Sequence, residues 1–501
     1  MKKNVEIKRA SGVLAHPTSF PGKYGIGSLG LEAYSFVDFL KSAGQSFWQI
    51  MPLGPTGYGD SPYACFSAFA GNTNLICLDE IKNYKLLSEK DFYKMPVFPD
   101  AVIEFGAVID FHNKMLAKAF NKFKKIKAEK LRAEFSEFKK KQKGWLNDYA
   151  KFMAYKDKHK GKIWSEWSNG KNKLKFTPGD KDSSRIEFHK FLQFLFFKQW
   201  FKLKNYANKT GIKIIGDMPI FVAYDSADVW ANPKKFLLDK DGNMTHVAGV
   251  PPDYFSKTGQ LWGNPLYNWK ACEKAGFEWW IKRFEWLMKT VDIVRIDHFR
   301  GFCACWSVPA HRKTAENGEW KKAPGNNLFK SLKSYFGELP FLAEDLGEIT
   351  PDVIALRKKF GFPGMKILQF AFGGKADNPF LPHNYDTNCV VYTGSHDNNT
   401  TKGWYDNADK NTRNFVRNYY RCNGSDIAWD LIRGALASVA ELAIIPMQDI
   451  LSLGEDARMN FPGKAEGNWQ WRFKKNDLNY SLAAKLKGLT ELYGRTKSAN
   501  K

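Results

Sequence analysis

The stretch IVRIDHF, residues 293–299, decides the fold class of this chain. Its apolar, β-branched start predicts a buried strand, and alternation places the side chains of Arg295 and Asp297 on one face with Ile296 on the other. Seven further short apolar runs resemble it, at residues 49–53, 75–79, 213–219, 341–346, 365–370, 390–396 and 442–448. The sequence therefore predicts eight strands of similar character.

Helical patterns separate most of these runs. Residues 277–290 (FEWWIKRFEWLMKT) and 352–360 (DVIALRKKF) repeat their apolar positions with the period of an α-helix. Strands that alternate with helices are typical of a parallel sheet with crossover helices. Eight such units over residues 1–501 predict the α/β class, with a (β/α)8 TIM barrel, a helical insertion subdomain and long active-site loops.

The insertion is predicted at residues 82–185, where the gap between two strand runs is too long for one crossover. This segment holds 26 Lys and Arg against 13 Asp and Glu, in a chain whose formal net charge is +24. Leu116, Phe120 and Phe123 are spaced as on the buried face of an amphipathic helix. We interpret the lysines as its solvated face; a nucleic-acid surface is the less favoured alternative, and no nucleic-acid partner is expected.

A second long stretch, residues 243–269, mixes Pro, Gly and aromatic residues without periodicity. Loops of this length are usually functional, so we expect it to cover the active site as a gate loop. The chain's seven scattered cysteines do not resemble a disulfide framework or a zinc site, so neither a metal nor a cofactor is expected. No apolar run is long enough for a membrane span, and residues 4–9 lack a secretory apolar core. We therefore expect a cytoplasmic location.

Four carboxylates follow predicted strands and are expected at one rim of the barrel. They are Asp217, Asp297, Glu344 and Asp397. In barrels of this type the catalytic groups lie at the carboxyl ends of the strands. One such residue could equally be a helix cap or a turn residue. Four together favour a catalytic site.

These residue types suit the cleavage of a glycosidic bond. Arg295 beside Asp297 is expected to lower the pKa of that carboxyl and keep it anionic, as a nucleophile requires. The apolar residues before Glu344 are expected to raise its pKa, as a general acid requires. Paired carboxylates with divergent pKa values cleave glycosides, while His396 and Asp397 could bind sugar hydroxyls. The 17 Trp, 20 Tyr and 40 Phe supply rings on which sugars stack.

Several motifs resemble those of the 4-α-glucanotransferases called amylomaltase or disproportionating enzyme. The three catalytic blocks are VRIDHFRGF (294–302), LAEDLG (342–347) and GSHDNNT (394–400). Five more segments are similar in order and spacing: FPGKYGIGSLG (20–30), GYGDSPY (57–63), GDMPIFVAYDSADVW (216–230), GVPPDYFSKTGQLWGNPLYNW (249–269) and NFPGKAEGNWQWR (460–472). Together they extend over nearly the whole chain.

The resemblance implies an enzyme that transfers α-1,4-glucan segments between glucans or maltooligosaccharides with retention of configuration. Asp297 matches the nucleophile, Glu344 the general acid/base, Asp397 the third, stabilising carboxylate and Arg295 the arginine beside the nucleophile. The positions that match sugar-binding residues are Tyr63, Asp217, Asp253, Trp262, His298, His396 and Asn468. Tyr254 and Phe255 match residues of the gate loop.

Two positions depart from the family's pattern. Cys305 stands before Trp306 where a tyrosine is common, and Ser395 replaces the usual threonine. Two alternatives to transfer also remain at this point. A retaining α-glucan hydrolase would use the same carboxylates with water as the acceptor. A non-catalytic glucan- or nucleic-acid-binding protein would use only the aromatic residues and the basic insertion.

Overall fold

The computed structural model describes residues 9–167, 182–252, 256–464 and 466–496. These residues form twelve strands and sixteen α-helices. The strands are β1 (Ala10–Leu14), β2 (Phe47–Gln49), β3 (Lys213–Met218), β4 (His246–Val250), β5 (Gln260–Pro265), β6 (Ile293–Ile296), β7 (Ala304–Pro309), β8 (Glu319–Lys322), β9 (Phe341–Ala343), β10 (Gly364–Ile367), β11 (Cys389–Tyr392) and β12 (Leu442–Pro446). The helices are α1 (Leu31–Ser42), α2 (Leu78–Asn83), α3 (Phe105–Lys125), α4 (Glu129–Lys141), α5 (Lys143–Lys158), α6 (Ser183–Lys209), α7 (Ala227–Ala231), α8 (Trp269–Lys274), α9 (Glu278–Thr290), α10 (Gly325–Phe336), α11 (Pro351–Phe360), α12 (Thr401–Asn407), α13 (Lys410–Tyr420), α14 (Ile427–Ala437), α15 (Met447–Ile450) and α16 (Tyr480–Leu492).

Eight parallel strands form a nearly closed barrel. Their order around the sheet is β10-β11-β12-β1-β2-β3-β6-β9, and each neighbouring pair runs parallel. The two end strands lie side by side, since the amide of Ala343 donates to the carbonyl of Pro363 at 2.9 Å. The predicted (β/α)8 barrel is confirmed.

Two strand predictions need correction. The first barrel strand, Ala10–Leu14, is absent from the predicted set, because its small residues Ala, Ser and Gly carry little β-propensity. The run at residues 75–79 is not a strand: it spans the end of a 3₁₀ turn, Thr73–Leu75, and the start of α2. A short apolar run cannot distinguish a strand from a buried helix start. The predicted number of barrel strands, eight, was therefore right through two compensating errors, and the four strands of a second sheet were not predicted.

The stretch at 243–269 is more regular than expected. Strands β4 and β5 lie within it and join β7 and β8 in a four-stranded antiparallel sheet, in the order β5-β4-β7-β8. Pro and Gly residues obscured the alternation that would have indicated strands. The helices predicted at 277–290 and 352–360 correspond to α9 and α11.

Alternate residues of the barrel strands fill its interior. Ile215 and Ile293 belong to this buried inner cluster, together with Leu342, Val390 and Tyr392. Side chains two residues further along a strand share the same face. The register that buries the inner cluster therefore directs the next inward side chains, at the carboxyl ends of the strands, towards a common centre.

Helices α3, α4, α5 and α6 lie between β2 and β3 in the chain. Their apolar faces pack together around aromatic rings, and the ring centres of Phe123 and Phe191 are 4.6 Å apart. The predicted apolar positions Leu116, Phe120 and Phe123 are buried, while the neighbouring Lys122 and Lys124 are exposed. Among the residues that the structure describes, no helix is both long and apolar enough to cross a lipid bilayer.

Candidate active site

The predicted carboxylates lie at or just beyond the carboxyl ends of their barrel strands. Asp217 is the penultimate residue of β3, and Asp297 immediately follows β6. Glu344 immediately follows β9, and Asp397 lies on the segment that connects β11 to α12. Hydrogen bonds link Asp217 to Asp297 through Arg295, while backbone contacts link Glu344 to the residue after Asp297.

Arg295 is the central cation of this site. One guanidinium nitrogen, Nη1, donates to Asp217 Oδ2 at 2.5 Å and to Asp297 Oδ1 at 2.9 Å. The hydroxyl of Tyr63 donates to the same Asp217 oxygen at 2.8 Å. Arg295 is only 4% exposed, so its charge is available to these two carboxylates rather than to water. The arrangement holds Asp297 beside a fixed positive charge.

Glu344 is held by two backbone amides. The amide of His298 donates to Oε2 at 2.6 Å, and the amide of Leu346 donates to Oε1 at 3.0 Å. Burial, and then the negative charge of Asp297, nevertheless raise the pKa of Glu344 to about 8. The carboxyl is therefore mostly protonated at neutral pH, as a group that must donate a proton requires.

His396 and Asp397 form the other side of the site. The His396 ring stacks on Tyr63, with centres 5.0 Å apart and planes inclined by 16°, and it also contacts Trp469 at 5.9 Å. Asp397 is the exposed member, with 48% of its side chain accessible. Its Oδ1 atom accepts a hydrogen bond from Asn460 Nδ2 at 2.6 Å. The side chain of Asp397 is thus the solvent-accessible part of this side of the site.

Trp262 and His298 form an aromatic corner. Their rings meet edge to face with centres 4.8 Å apart, and Trp262 is 38% exposed. His298 has a left-handed backbone, with φ of 51°, and burial lowers the pKa of its ring to about 4. Its Nε2 atom is buried and has no hydrogen-bond partner among the described residues. Within the described part of the chain, the neutral imidazole therefore keeps an unpaired nitrogen, shielded from solvent, beside Trp262.

The remaining predicted binding residues are Asn468 and three residues of the predicted gate loop. The amide of Asn468 is engaged within its own loop, since Oδ1 accepts from the amide of Phe461 and Nδ2 donates to the carbonyl of Lys464, both at 2.8 Å. Asp253, Tyr254 and Phe255 lie outside the described residues.

The two departures from the family pattern also have defined places. Cys305 is buried on β7, with its thiol 3.7 Å from the carbonyl of Lys321. The hydroxyl of Ser395 donates to Asn398 Oδ1 at 2.8 Å and accepts from the amide of Asp397 at 3.3 Å. Ser395 therefore supplies a local turn contact next to the third carboxylate. No described group of three or more His, Cys, Asp or Glu residues is arranged to hold a metal ion.

Sequence reasoning missed four residues around Asp397 and His396. They are Asp449, Arg458, Asn460 and Trp469. Two of them, Asn460 and Trp469, belong to the motif NFPGKAEGNWQWR, which was a usable signal. Their contacts with residues 396 and 397 could not be read from the motif, because the partners are more than 60 residues away in the chain.

Comparisons with known proteins agree on one family. Residues 15–478 match the profile of glycoside hydrolase family 77, described as 4-alpha-glucanotransferase. The chain is 51% identical to a 4-alpha-glucanotransferase from Synechocystis over 97% of this chain and 98% of the relative. It is 48% identical to the 4-alpha-glucanotransferase of Thermus thermophilus, over 97% of this chain and 99% of the relative.

A solved structure supports the same grouping. The amylomaltase from Streptococcus agalactiae, determined in complex with acarbose, is 42% identical to this chain. It superimposes with a TM-score of 0.94 over 98% of this chain and 100% of that chain. An amylomaltase from Corynebacterium glutamicum, 19% identical, superimposes with a TM-score of 0.77 over 97% of this chain and 74% of that chain and therefore supports the fold alone.

Proposed function

Since this chain belongs to the 4-alpha-glucanotransferase family, we propose that Asp297, Glu344 and Asp397 carry out glucan transfer by a retaining double displacement. The donors and acceptors we propose are α-1,4-glucans and maltooligosaccharides. The observation that best supports this assignment is the difference between two carboxyls at one rim. Asp297 is paired with Arg295 at 2.9 Å, whereas Glu344 is partly buried and its pKa is raised to about 8. Nucleophile and acid need these opposite states.

The first half of the reaction breaks the donor's glycosidic bond. A carboxylate oxygen of Asp297 attacks the anomeric carbon while Glu344 gives its proton to the departing glycosidic oxygen. The leaving glucan departs with a free 4-hydroxyl, and the remaining sugar is bound to Asp297 through an ester bond. Asp397 would stabilise the positive charge that develops on the ring.

The second half of the reaction forms the new bond. The 4-hydroxyl of an acceptor glucan loses its proton to Glu344, now a carboxylate, and its oxygen attacks the anomeric carbon. Asp297 leaves as a carboxylate, and Glu344 is protonated again for the next cycle. For this mechanism we predict that the carboxyls of Asp297 and Glu344 are about 5 to 5.5 Å apart when substrate is bound.

Transfer requires that an acceptor sugar reach the intermediate before water does. We propose that the stretch 243–269 serves as a gate loop, with the half-exposed Trp262 as a platform for a sugar ring. Residues 82–185 are proposed to form a lysine-rich helical insertion subdomain within the barrel. For the cellular location we propose the cytoplasm; the seven cysteines are all free thiols, which suits a reducing compartment.

The decisive experiment is incubation of the purified protein with maltotriose alone. Products are resolved by chain length, and free glucose is measured alongside. A transferase produces longer maltooligosaccharides together with glucose. Asp297→Asn is expected to lower this activity by about 10⁴-fold, because the nucleophile is lost. Asp406→Asn is the matched control, since within the part of the chain that the structure describes this exposed aspartate pairs only with the surface Lys402.

The alternatives give different products from the same incubation. A hydrolase on this site would yield only maltose and glucose, with no sugar longer than the substrate. A non-catalytic binding protein would leave maltotriose unchanged. Full activity in Asp297→Asn would contradict the proposed nucleophile even if transfer itself were observed.

A further inference from the structure

Asp397 is held in place by a segment that follows a different strand. Asn460 Nδ2 donates to Asp397 Oδ1 at 2.6 Å, and Arg458 Nη2 donates to the Asp397 backbone carbonyl at 2.7 Å. Both donors lie beyond β12, whereas Asp397 lies beyond β11. The position of the third carboxylate therefore depends on contacts between the segments that follow β11 and β12, which are adjacent strands of the barrel.

The same segment also holds the two ends of the loop that carries Asp397. The carboxylate of Asp449 is 1% exposed and accepts hydrogen bonds from the amide and the hydroxyl of Thr401, both at 2.7 Å. It accepts a further hydrogen bond from the hydroxyl of Thr393. Thr393 directly follows β11, and Thr401 begins α12. One buried carboxylate thus joins the start and the end of residues 393–401.

We propose that residues 449–460 form a bracket that positions the third carboxylate, with Asn460 as the residue that orients Asp397 directly. The proposal rests on the proposed function, in which Asp397 stabilises the transition state. Asp449 positions Asp397 indirectly, because it contacts the loop that carries Asp397 and not the Asp397 side chain.

An asparagine is chemically suited to this task. Its amide group is a neutral donor, so it fixes one oxygen of Asp397 without cancelling the negative charge that the reaction uses. Asp397 Oδ2 has no hydrogen-bond partner among the described residues, and 48% of the side chain is exposed, which leaves room for a sugar ring beside it. Because the carboxylate is half exposed on a loop, and its other neighbour, His396 Nε2, is 3.5 Å from the same oxygen, it would otherwise sample several rotamers. Orientation by Asn460 removes that freedom before substrate arrives.

The first test uses Asn460→Ala and measures kcat and KM for maltotriose disproportionation. We expect kcat to fall about 10- to 100-fold while KM changes less than about threefold, because the contact matters most in the transition state. The matched control is Asn407→Ala, since Asn407 donates to Glu455 on the same segment at 2.9 Å but does not contact Asp397. A kcat for Asn460→Ala equal to that of the control would overturn the proposal.

A second variant gives a readout that a general loss of packing would not produce. In Asn460→Asp, two carboxylates face each other at hydrogen-bond distance, with His396 Nε2 3.5 Å from Asp397 Oδ1 and the guanidinium of Arg458 on the Asp397 backbone carbonyl. The pair of carboxylates binds a proton more tightly than Asp397 alone. We therefore expect activity to survive at acidic pH and to be lost, as the pH rises, earlier than in the wild type. A wild-type pH profile in this variant would contradict a direct contact between the two side chains.

The role of Asp449 is tested through its partner. Thr401→Val removes the hydroxyl but preserves the shape of a fully buried side chain, and Thr401→Ser keeps the hydroxyl. We expect the valine variant to lose kcat about 10-fold and the serine variant to retain most of it. Equal kcat values for the two variants would overturn this part of the bracket.

Different results would contradict the proposed function and the bracket of residues 449–460. If the wild type makes no longer maltooligosaccharides from maltotriose, the proposed function itself is wrong. If the wild type makes them and Asn460→Ala does so at the same rate, only the bracket is wrong.

Discussion

The backbone amide of His298 donates a hydrogen bond of 2.6 Å to Glu344 Oε2. His298 is the residue directly after Asp297, so the group proposed as the acid is bound to the chain next to the proposed nucleophile. The left-handed backbone of His298 turns its amide towards strand β9. This backbone contact therefore holds the Glu344 carboxyl next to the residue that follows Asp297, while the side chain of Arg295 holds the Asp297 carboxyl.

The pH dependence of kcat/KM should report the titration of Glu344. Burial and the charge of Asp297 raise the pKa of Glu344 to about 8, and only the protonated form can give a proton to the leaving oxygen. We expect kcat/KM for maltotriose to decrease as the pH rises through about 8. Glu344→Gln should be nearly inactive and lack this limb. A wild-type profile that falls off near pH 4.5 instead would show that the carboxyl is not perturbed.

The free energy of unfolding should also depend on the protonation of Glu344, and it should decrease as the pH rises. Because the folded-state pKa of Glu344 lies above the ordinary value of 4.5, the folded protein holds a proton there that the unfolded chain releases. As the pH rises from about 4.5 to 8, the wild type is therefore expected to lose stability relative to Glu344→Gln. Thermal unfolding of both proteins across this range tests it, and a difference that does not change with pH would contradict it.

Removal of the central cation should cost both activity and stability. In Arg295→Met the carboxylates of Asp217 and Asp297 lose their shared partner in a buried setting. We expect a loss of about 3–5 kcal/mol in the free energy of unfolding and of at least 100-fold in kcat. Arg295→Lys keeps the charge but cannot reproduce the geometry of the guanidinium, so it should retain more stability than activity. Denaturant unfolding and maltotriose kinetics measure the two effects.

Trp262 should contribute to sugar binding rather than to bond cleavage. Its exposed ring stands edge to face with His298, next to the proposed nucleophile. In the inactive Asp297→Asn background, we expect Trp262→Ala to weaken binding of maltotriose by roughly 10-fold, since a lost aromatic contact of this kind is worth about 1–1.5 kcal/mol. Calorimetric titration measures it. Tyr335→Ala in the same background, which removes an exposed aromatic ring on α10, is the control and should bind maltotriose like Asp297→Asn alone.

The buried Arg495 should be essential for stability. It is 0% exposed, and its guanidinium donates to backbone carbonyls that include those of Ala10, Leu436 and Ala440. Arg495→Leu would leave these buried acceptors without donors, so we expect a loss of about 3 kcal/mol or more. Arg433→Leu, on the exposed face of α14, should change stability by less than about 0.5 kcal/mol. Equal unfolding midpoints for the two variants would contradict this role.

Sequence patterns were sufficient for the barrel and for the residues that end its strands. The run at 293–296 alternates between the barrel interior and the surrounding helices, so its period alone placed Arg295 and Asp297 on one face. The strand Ala10–Leu14 was missed because its stability comes from pairing with β12, far away in the chain. Local propensity carries no information about such a partner.

The lack of local information about distant partners also explains which residues of the candidate site were not predicted. Asn460 and Asp397 meet although 63 residues separate them, and nothing local to either residue indicates the contact. Glu344 shows the opposite case: apolar residues directly before it predicted a raised pKa, and burial is the largest cause of that shift. Roles that depend on residues adjacent in the sequence could therefore be predicted, whereas roles that depend on contacts between distant loops could not.

The seam between β1 and β12 has a consequence for how the protein is made. Arg495 reaches the carbonyl of Ala10 across 485 residues of chain, and β1 pairs with β12 beside it. At about 5–20 residues per second, a ribosome needs roughly 20 to 90 seconds to synthesise β12 after β1 has emerged. Throughout that interval one edge of β1 has no partner strand. The newly made chain therefore has to remain unaggregated with an open barrel until β12 is synthesised.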